Sequence, residues 1–404
     1  MFRRGAFQPN AWFEIGNYGI FGETGLHHFA ALEIIESGTT HLTYHPMGYS
    51  YMIAFFYALL PKSWNYYLVS ISVIQILSLP VLVWCAGRLA EDWGRKELKP
   101  WAMMFCALYL PIANYASVPT TVFPPLVLLS VIVVLIQPAF TSGKLGLTRL
   151  LIIGVLLGAA TSIRPQVGLL GPVIGLTLWL VHKKFWLAFR LTLPIGLASL
   201  FIFGSMIVAN KSKSEALLPG GQGAGYSLLI GSYQFERAWF PWKPAHYPNN
   251  PDSKPIWDHV ERLEQETGFP RSHPLMAGRM AEAAWQRYRD PARAFRKIAL
   301  SILSIHIITP QFNRNVIFKR AVVGLEFILL ALALIGGWLV KRRHRFWPWV
   351  FGIMLITPMT FMFLHIEPRY SLPFRMFELI LAAIALDVIC RWIIRRFNFA
   401  KAEI

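Results

Sequence analysis

The chain has 404 residues, of which 55% are hydrophobic and only 15% are charged. A soluble domain carries about 25% charged residues, so this composition excludes an ordinary soluble enzyme and indicates an integral membrane protein. The net charge of +18 does not indicate nucleic-acid binding, because the basic residues lie between apolar segments rather than on one soluble face. Cys85, Cys106 and Cys390 lie within or at the end of apolar segments, so we predict neither a disulfide nor a cysteine metal site.

Residues 1–65 are predicted to form a segment at the outer face of the membrane, with juxtamembrane helices. This segment contains Glu23, the pair His27-His28 and the sequence HPMGY, which begins at His45. On a helix, His27 lies one turn after Glu23 and faces the same way. A carboxylate near a histidine can act as a base or bind a cation. The alternative interpretation is that Glu23 is an ordinary solvated residue near a helix N-terminus.

Nine later apolar segments are long enough to span a bilayer, which takes about 20 residues. They are Tyr66–Ala86, Trp101–Val118, Pro119–Gln137, Arg149–Arg164, Pro165–His182, Leu187–Ala209, Ala321–Val340, Phe346–Leu364 and Leu372–Ile394. The first six make up a predicted helix bundle over 66–209, and the last three belong to a C-terminal region, 321–404, with a basic tail. Two shorter apolar segments, Gly48–Leu60 and Ile298–Pro310, are predicted to lie in the membrane plane or to be re-entrant.

The basic residues in the short connections predict the orientation of the chain. One side receives most of them and is predicted to be cytoplasmic: Arg95, Lys144, Lys183, Lys184, Lys341, Arg342, Arg343 and Arg391. The outer side receives the N-terminal segment, the corner at Arg164-Pro165, the long loop 210–320 and the connection 365–372. This alternation puts Met1 outside without a span to carry it there. We therefore expect either that a transmembrane helix precedes this sequence or that the start is wrongly assigned.

The long outer loop, 210–320, is predicted to contain amphipathic helices. One covers Pro255–Thr267 and stops at Gly268, and another covers His273–Arg289. Asp290 followed by Pro291 is typical of a helix N-cap with proline in the first helical position. The helix that begins there changes from basic to apolar, which suits a lipid surface.

Two outer corners carry the remaining candidate residues. Arg164 can snorkel to the interface or hold a lipid phosphate, and the sequence does not decide between these roles. In the connection 365–372, Arg369 can bind phosphate with Glu367 orienting it. The alternative there is a salt-bridged turn with Tyr370 in the aromatic belt. Acidic residues inside apolar segments, Glu326 and Asp387, lie near helix ends, where a helix–helix contact can satisfy them, and His306 is predicted to be a packing residue.

Four motifs on the outer side give the chain a resemblance to the GT-C membrane glycosyltransferases. They are ETGLHHFAALEIIESG from Glu23, HPMGY from His45, SIRP from Ser162 and EPRYSLP from Glu367. The resemblance is strongest to the branch that contains dolichyl-phosphate-mannose protein mannosyltransferases and bacterial aminoarabinose transferases. The sequence departs from that pattern where Glu23 replaces an aspartate, where Met47 replaces a common proline and where a first span is absent.

This resemblance implies an all-α polytopic membrane fold with about nine transmembrane helices. It also implies an inverting glycosyltransferase that moves a sugar from a polyprenyl-phosphate donor to a glycan, lipid or protein acceptor at the outer face. The implied roles are a general base, Glu23; binding of the donor phosphate, Arg164, Arg369 and Tyr370; and shaping of the site, His27, His28, His45 and Glu367. No cofactor is certain, and a divalent metal held by the histidines stays open.

Two other classes of function also fit the composition. A transporter or flippase of lipid-linked sugars would show paired inverted repeats with charges at the midplane, and no clear repeat is visible. A non-catalytic membrane assembly protein would tolerate substitution of Glu23. The expected location is a bacterial inner membrane, with the active site on the periplasmic side.

Overall fold

A computed structural model describes the backbone of residues 20–40, 46–59, 64–117, 119–214, 223–236, 254–270, 273–306, 316–364, 366 and 368–402. Throughout these ranges the regular structure is helical, with no strand, so the all-α prediction is confirmed. The first eight helices are α1 Ile20–Ser37, α2 Gly48–Leu59, α3 Trp64–Trp93, α4 Lys99–Leu108, α5 Leu110–Ala116, α6 Phe123–Ser142, α7 Leu147–Ile163 and α8 Leu170–His182. The other eight are α9 Phe185–Ser214, α10 Gly223–Tyr233, α11 Lys254–Thr267, α12 Pro274–Tyr288, α13 Pro291–Ser304, α14 Val316–Arg343, α15 Trp347–Phe361 and α16 Leu372–Ala402.

In the described part of the chain, five helical segments are long and apolar enough to cross a membrane. They are Val69–Trp93, Phe123–Ser142, Pro165–His182, Phe185–Ala209 and Arg320–Arg343. Leu147–Ile163 and Trp347–Phe361 are apolar but shorter.

Two of the nine predicted spans have a different form from a simple apolar helix. Trp101–Val118 is interrupted at Tyr109, where the backbone is extended, and Pro111 lies in the first turn of the next helix. Proline lacks the N–H of a continuous helix, which explains the break. The last predicted span lies within α16, which carries several charged side chains among its apolar residues.

The centre of the bundle is a large apolar core shared by α3, α6, α15 and α16. Trp93, Phe123, Trp349 and Phe377 are fully buried in it. Many large apolar side chains on the outside of the bundle are exposed, such as Phe201 of α9 at 74%. Exposed apolar surface on this scale is expected of helices that face lipid rather than water.

The close pairing of α7 with α9 depends on glycine. A Cβ atom at Gly154 would lie 2.6 Å from the carbonyl oxygen of Ile195, and one at Gly158 would lie 2.8 Å from that of Ser199. The two glycines are four residues apart and form one face of α7 against α9. This small-residue spacing lets the backbones of membrane helices approach closely.

One end of the bundle is basic. Arg95, which follows α3, forms an ion pair of 3.0 Å with Asp387 of α16, and Arg391 also bonds to that carboxylate. This confirms the prediction that contacts formed by helix packing provide partners for the Asp387 carboxylate. Lys144 and Lys183 lie at this same end, because they are in the connections after α6 and α8.

The helices α10 to α13 pack together as a separate layer in the segment that we predicted as an outer loop. Gly225 lies so close to α12 that a Cβ atom there would be 1.9 Å from the Ala277 carbonyl oxygen. The predicted stop at Gly268 is confirmed by its φ of +68°. The predicted cap is also confirmed, because the Asp290 carboxylate accepts hydrogen bonds from the backbone N–H groups of Ala292 and Arg293.

Candidate active site

Arg164 stands at the corner where α7 ends, at the end of the bundle opposite the basic connections. Its guanidinium donates from Nη2 to Thr121 Oγ1 at 2.8 Å and from Nε to the Thr121 carbonyl oxygen at 3.3 Å. Thr121 precedes α6, so the contact joins neighbouring ends of two antiparallel helices. The remaining N–H groups of this half-buried guanidinium have no hydrogen-bond partner in the described part of the chain. The side chain is therefore fixed in place and still able to bind an anion.

Tyr370 lies against the same guanidinium, although it comes from the far end of the sequence. The Arg164 Cζ atom is 5.0 Å from the centre of the Tyr370 ring, within the range of a cation–π contact. Tyr370 belongs to the short 3₁₀ turn Pro368–Ser371, which leads into α16. The structure thus brings together two of the three residues that we predicted to bind the donor phosphate.

The N-terminal helices α1 and α2 pack onto this corner through a glycine. A Cβ atom at Gly48 would lie 2.4 Å from the backbone carbonyl carbon of Ser162. Any larger residue at the start of α2 would therefore push it away from Arg164. The HPMGY motif places its glycine at this close contact, which gives a physical reason for glycine in that position.

Two buried histidines fasten α1 to α2. His27 Nδ1 lies 2.8 Å from Ser50 Oγ, and His28 Nδ1 lies 2.5 Å from Tyr57 Oη. Burial lowers the pKa of His28 to about 4 and raises the pKa of Tyr57 above its ordinary value. At neutral pH the imidazole is therefore uncharged and the phenol keeps its proton, so Tyr57 can donate to His28. Both histidines act here as links between helices.

Several predicted site residues fall outside what the structure describes. The structure describes the backbone of Glu23, in the first turn of α1, and of Arg369, in the turn Pro368–Ser371, but not their side chains. His45 and Glu367 lie outside the described residues altogether. Within the described ranges, no group of three or more histidine, cysteine, aspartate or glutamate side chains is arranged to hold a metal ion.

Next to the candidate site, a buried polar network links four elements that sequence reasoning did not connect. Arg375 is fully buried, lies 3.0 Å from Glu326 of α14 and bonds to Glu378 one turn further along α16. Its Nη2 also donates to the His306 carbonyl oxygen at 2.5 Å. Tyr109, at the break between α4 and α5, donates to Glu326 at 2.6 Å.

The prediction that Glu326 is satisfied by a helix contact is confirmed by this network. His306 is not only a packing residue, because its Nδ1 lies 2.6 Å from Glu378 Oε1. The signal that was available in the sequence is the spacing of Arg375 and Glu378, which places opposite charges on one face of an otherwise apolar helix.

Comparison with known proteins adds one structural match. No protein-family model matches the chain, and no curated protein matches it. The chain is similar to the crystal structure of ArnT from Cupriavidus metallidurans in the apo state, with 13% sequence identity and a TM-score of 0.37. The match covers 90% of this chain and 72% of that one. A similarity at this level carries no information about the site.

Proposed function

We propose that this protein is a membrane glycosyltransferase that transfers a sugar from a polyprenyl-phosphate-linked donor to an acceptor at the outer face. The observation that supports this most is the contact of Arg164 with Tyr370. It joins two motifs from distant parts of the sequence at the end of the bundle opposite the basic connections. A fixed guanidinium whose other N–H groups have no partner among the described residues, at the edge of lipid-facing helices, suits a lipid-linked phosphate.

The proposed chemistry needs a base and a stabilised leaving group. The Glu23 carboxylate takes the proton from an acceptor hydroxyl, and the oxygen attacks the anomeric carbon from the face opposite the phosphate. The bond between the anomeric carbon and the phosphate oxygen breaks, the configuration inverts, and polyprenyl phosphate leaves with the electron pair. Arg164 and Arg369 stabilise the charge that develops on the phosphate oxygens.

The packing of α1 supports the choice of base. The contact of Gly48 with Ser162 holds α2 at the Arg164 corner, and the histidine contacts hold α1 on α2. Glu23 is one turn before His27 on α1, so the helix that carries it is anchored to the same corner.

A transporter of lipid-linked sugars is the second candidate. The observation in its favour is a broken helix at Tyr109 beside intramembrane charges, since discontinuous helices and buried charges are typical of transport sites. However, Glu326 and Arg375 are paired with each other, and such a pair fits a role in stabilising the fold as well as a role in transport.

The test of the proposed function measures transfer of a labelled sugar in membranes that contain the wild type, Glu23→Gln or Glu23→Asp. The membranes receive labelled polyprenyl-phosphate sugars and a crude acceptor extract. We expect Glu23→Gln to lose transfer at equal expression, while Glu23→Asp keeps part of it because a carboxylate remains. Equal transfer by all three would remove Glu23 from catalysis and direct attention to Glu367. Movement of the labelled donor across the membrane without transfer would favour the transporter.

A further inference from the structure

Ile366, just before the turn Pro368–Ser371 that carries Arg369 and Tyr370, is held by a buried glutamine from the α10 to α13 layer. Gln234, just after α10, donates from Nε2 to the Ile366 carbonyl oxygen at 3.0 Å. Its Oε1 accepts from the Ile366 backbone N–H at 2.9 Å. One side-chain amide therefore satisfies both backbone groups of Ile366, whose side chain is itself buried. Both backbone groups would otherwise be desolvated without a partner.

A buried lysine completes this contact. Lys297 of α13 is only 1% exposed, and its Nζ donates to Gln234 Oε1 at 2.8 Å. The same Nζ lies 5.1 Å from the centre of the Phe235 ring. A lysine is rarely buried to this extent unless it is paired. Lys297 fixes the orientation of the glutamine amide, because it requires the oxygen, and not the nitrogen, to face α13.

The held residue leads directly to the candidate site. Ile366 packs with Phe361 in a small apolar cluster, and the Phe361 ring stacks on Tyr370 with 4.9 Å between ring centres. Tyr370 in turn lies against the Arg164 guanidinium. A continuous set of described contacts thus runs from Lys297 through Gln234 and Ile366 to the phosphate-binding corner.

We propose that Gln234 and Lys297 are positioning residues for the donor-phosphate site. They hold Ile366, just before the turn Pro368–Ser371, so that Tyr370 lies against Arg164. This inference rests on the proposed function, because the phosphate is the ligand that the positioned residues would bind. It also gives the helix layer α10 to α13 a role, which is to set the geometry of a site built mainly from the bundle.

A second contact of α13 supports this role. His306, just beyond the end of α13, lies 2.6 Å from Glu378 of α16, and its carbonyl oxygen accepts from Arg375. The segment Pro291–His306 is therefore fastened on both sides of the turn, to Ile366 through Gln234 and to α16 after Ser371. Two attachment points restrict movement of the turn more than one does.

The test measures the affinity of the purified protein for polyprenyl phosphate by quenching of tryptophan fluorescence in detergent. Gln234→Leu should weaken binding roughly tenfold or more, since small displacements of positioning groups have large effects. Lys297→Met should have a smaller effect in the same direction. Gln234→Glu keeps an acceptor for the Ile366 N–H and Lys297 but loses the donor to the Ile366 carbonyl oxygen, so it should recover only part of the affinity.

The matched control is Gln137→Leu, which removes the buried hydrogen bond of 3.3 Å from Trp93 to Gln137 near the basic end of α6. It makes the same chemical change far from the turn, so it should lower thermal stability without changing affinity for polyprenyl phosphate. An equal loss of affinity in Gln137→Leu and Gln234→Leu would overturn the proposal, because the effect would then reflect general destabilisation.

Hydrogen–deuterium exchange separates failure of this inference from failure of the proposed function. Amides of the segment 362–371 should exchange faster in Gln234→Leu than in the wild type or in Gln137→Leu. If the wild type binds no polyprenyl phosphate, the proposed donor is wrong, and faster exchange alone would show that the glutamine holds the turn. Unchanged exchange in Gln234→Leu would contradict the positioning role whatever the ligand.

Discussion

At the scale of single residues, some features of the predicted site could be recognised from residues adjacent in the sequence, and others could not. The Arg164-Pro165 corner was recognisable because a helix end, a proline and an arginine are adjacent in the sequence. The contact with Thr121 was not, because Thr121 reaches Arg164 only through helix packing, and Tyr370 was placed with Arg164 only by the family resemblance. Gln234 and Lys297 gave no signal for the same reason: a glutamine after a helix and a lysine in a basic helix are ordinary residues until they are buried together.

His28 gives a prediction about stability and pH. Burial lowers its pKa from 6.5 to about 4 in the folded state, so the unfolded chain takes up a proton first as the pH falls. The contribution of neutral, buried His28 to the free energy of unfolding is complete above about pH 6.5 and is lost as the pH falls toward 4. The loss should be on the order of 2 kcal/mol. It should appear as a lower melting temperature in detergent at pH 4.5 than at pH 7.5.

The variant His28→Phe removes the group that titrates, so its melting temperature should fall less over the same pH range. The control is His182→Gln, which changes a histidine that bonds to the Ala139 carbonyl oxygen near the basic end. That variant should retain the full pH-dependent loss. A loss of the same size in His28→Phe would assign the effect to other groups.

At the scale of helices, the length of the apolar segments predicted where most helices lie. Proline and charged residues explain why some of these segments are not simple membrane-spanning helices. The break at Tyr109 was not predicted, since Gly and Pro are tolerated inside membrane helices and neighbouring helices decide whether a chain bends. The buried partner of Tyr109 is Glu326. A contact between distant helices of this kind cannot be read from the pattern of either helix alone.

The pairing of α7 with α9 gives a prediction at this scale. Gly158→Ala places a Cβ atom 2.8 Å from the Ser199 carbonyl oxygen, and backbone atoms cannot move aside cheaply. We expect the substitution to destabilise the protein by about 1–3 kcal/mol. A thermal melt in detergent should show a lower midpoint than the wild type.

Gly204→Ala is the matched control, because the same change on α9 meets nothing within 4 Å. It should leave the midpoint unchanged or raise it slightly, since alanine favours a helix more than glycine does. Equal midpoints for Gly158→Ala and Gly204→Ala would show that the close approach of the two helices is wrong.

At the scale of the whole molecule, charge and the candidate site separate to opposite ends. Arg95 and Arg391 meet Asp387 at one end, and Arg164 meets Tyr370 at the other. The distribution of Lys and Arg predicted this separation from the sequence, because connections alternate between the two sides of a helix bundle. The individual contacts of the α10 to α13 layer with the site were not predictable, since amphipathic helices reveal an apolar face but not the surface that it contacts.

Labelling with a membrane-impermeant maleimide tests which end faces outward. In a Cys390→Ser background, Glu266→Cys places a thiol in the last turn of α11 and Lys144→Cys places one in the connection after α6, both at exposed positions. Cys85 and Cys106 are buried and should stay unlabelled. Intact cells should label Glu266→Cys only, and inside-out vesicles should label Lys144→Cys only. The reverse pattern would invert the proposed topology.

The proposed function requires that Arg164 bind the phosphate of a lipid-linked sugar donor during transfer. The most direct measurement compares the rate of labelled sugar transfer from polyprenyl phosphate for the wild type, Arg164→Ala and Arg164→Lys, with Arg190→Ala as a control at an exposed arginine. We predict that Arg164→Ala lowers the rate by about 100-fold or more. Arg164→Lys should recover little, because an ammonium cannot bond to Thr121 and phosphate with the same fork geometry. Transfer by Arg164→Ala at the wild-type rate would contradict the account.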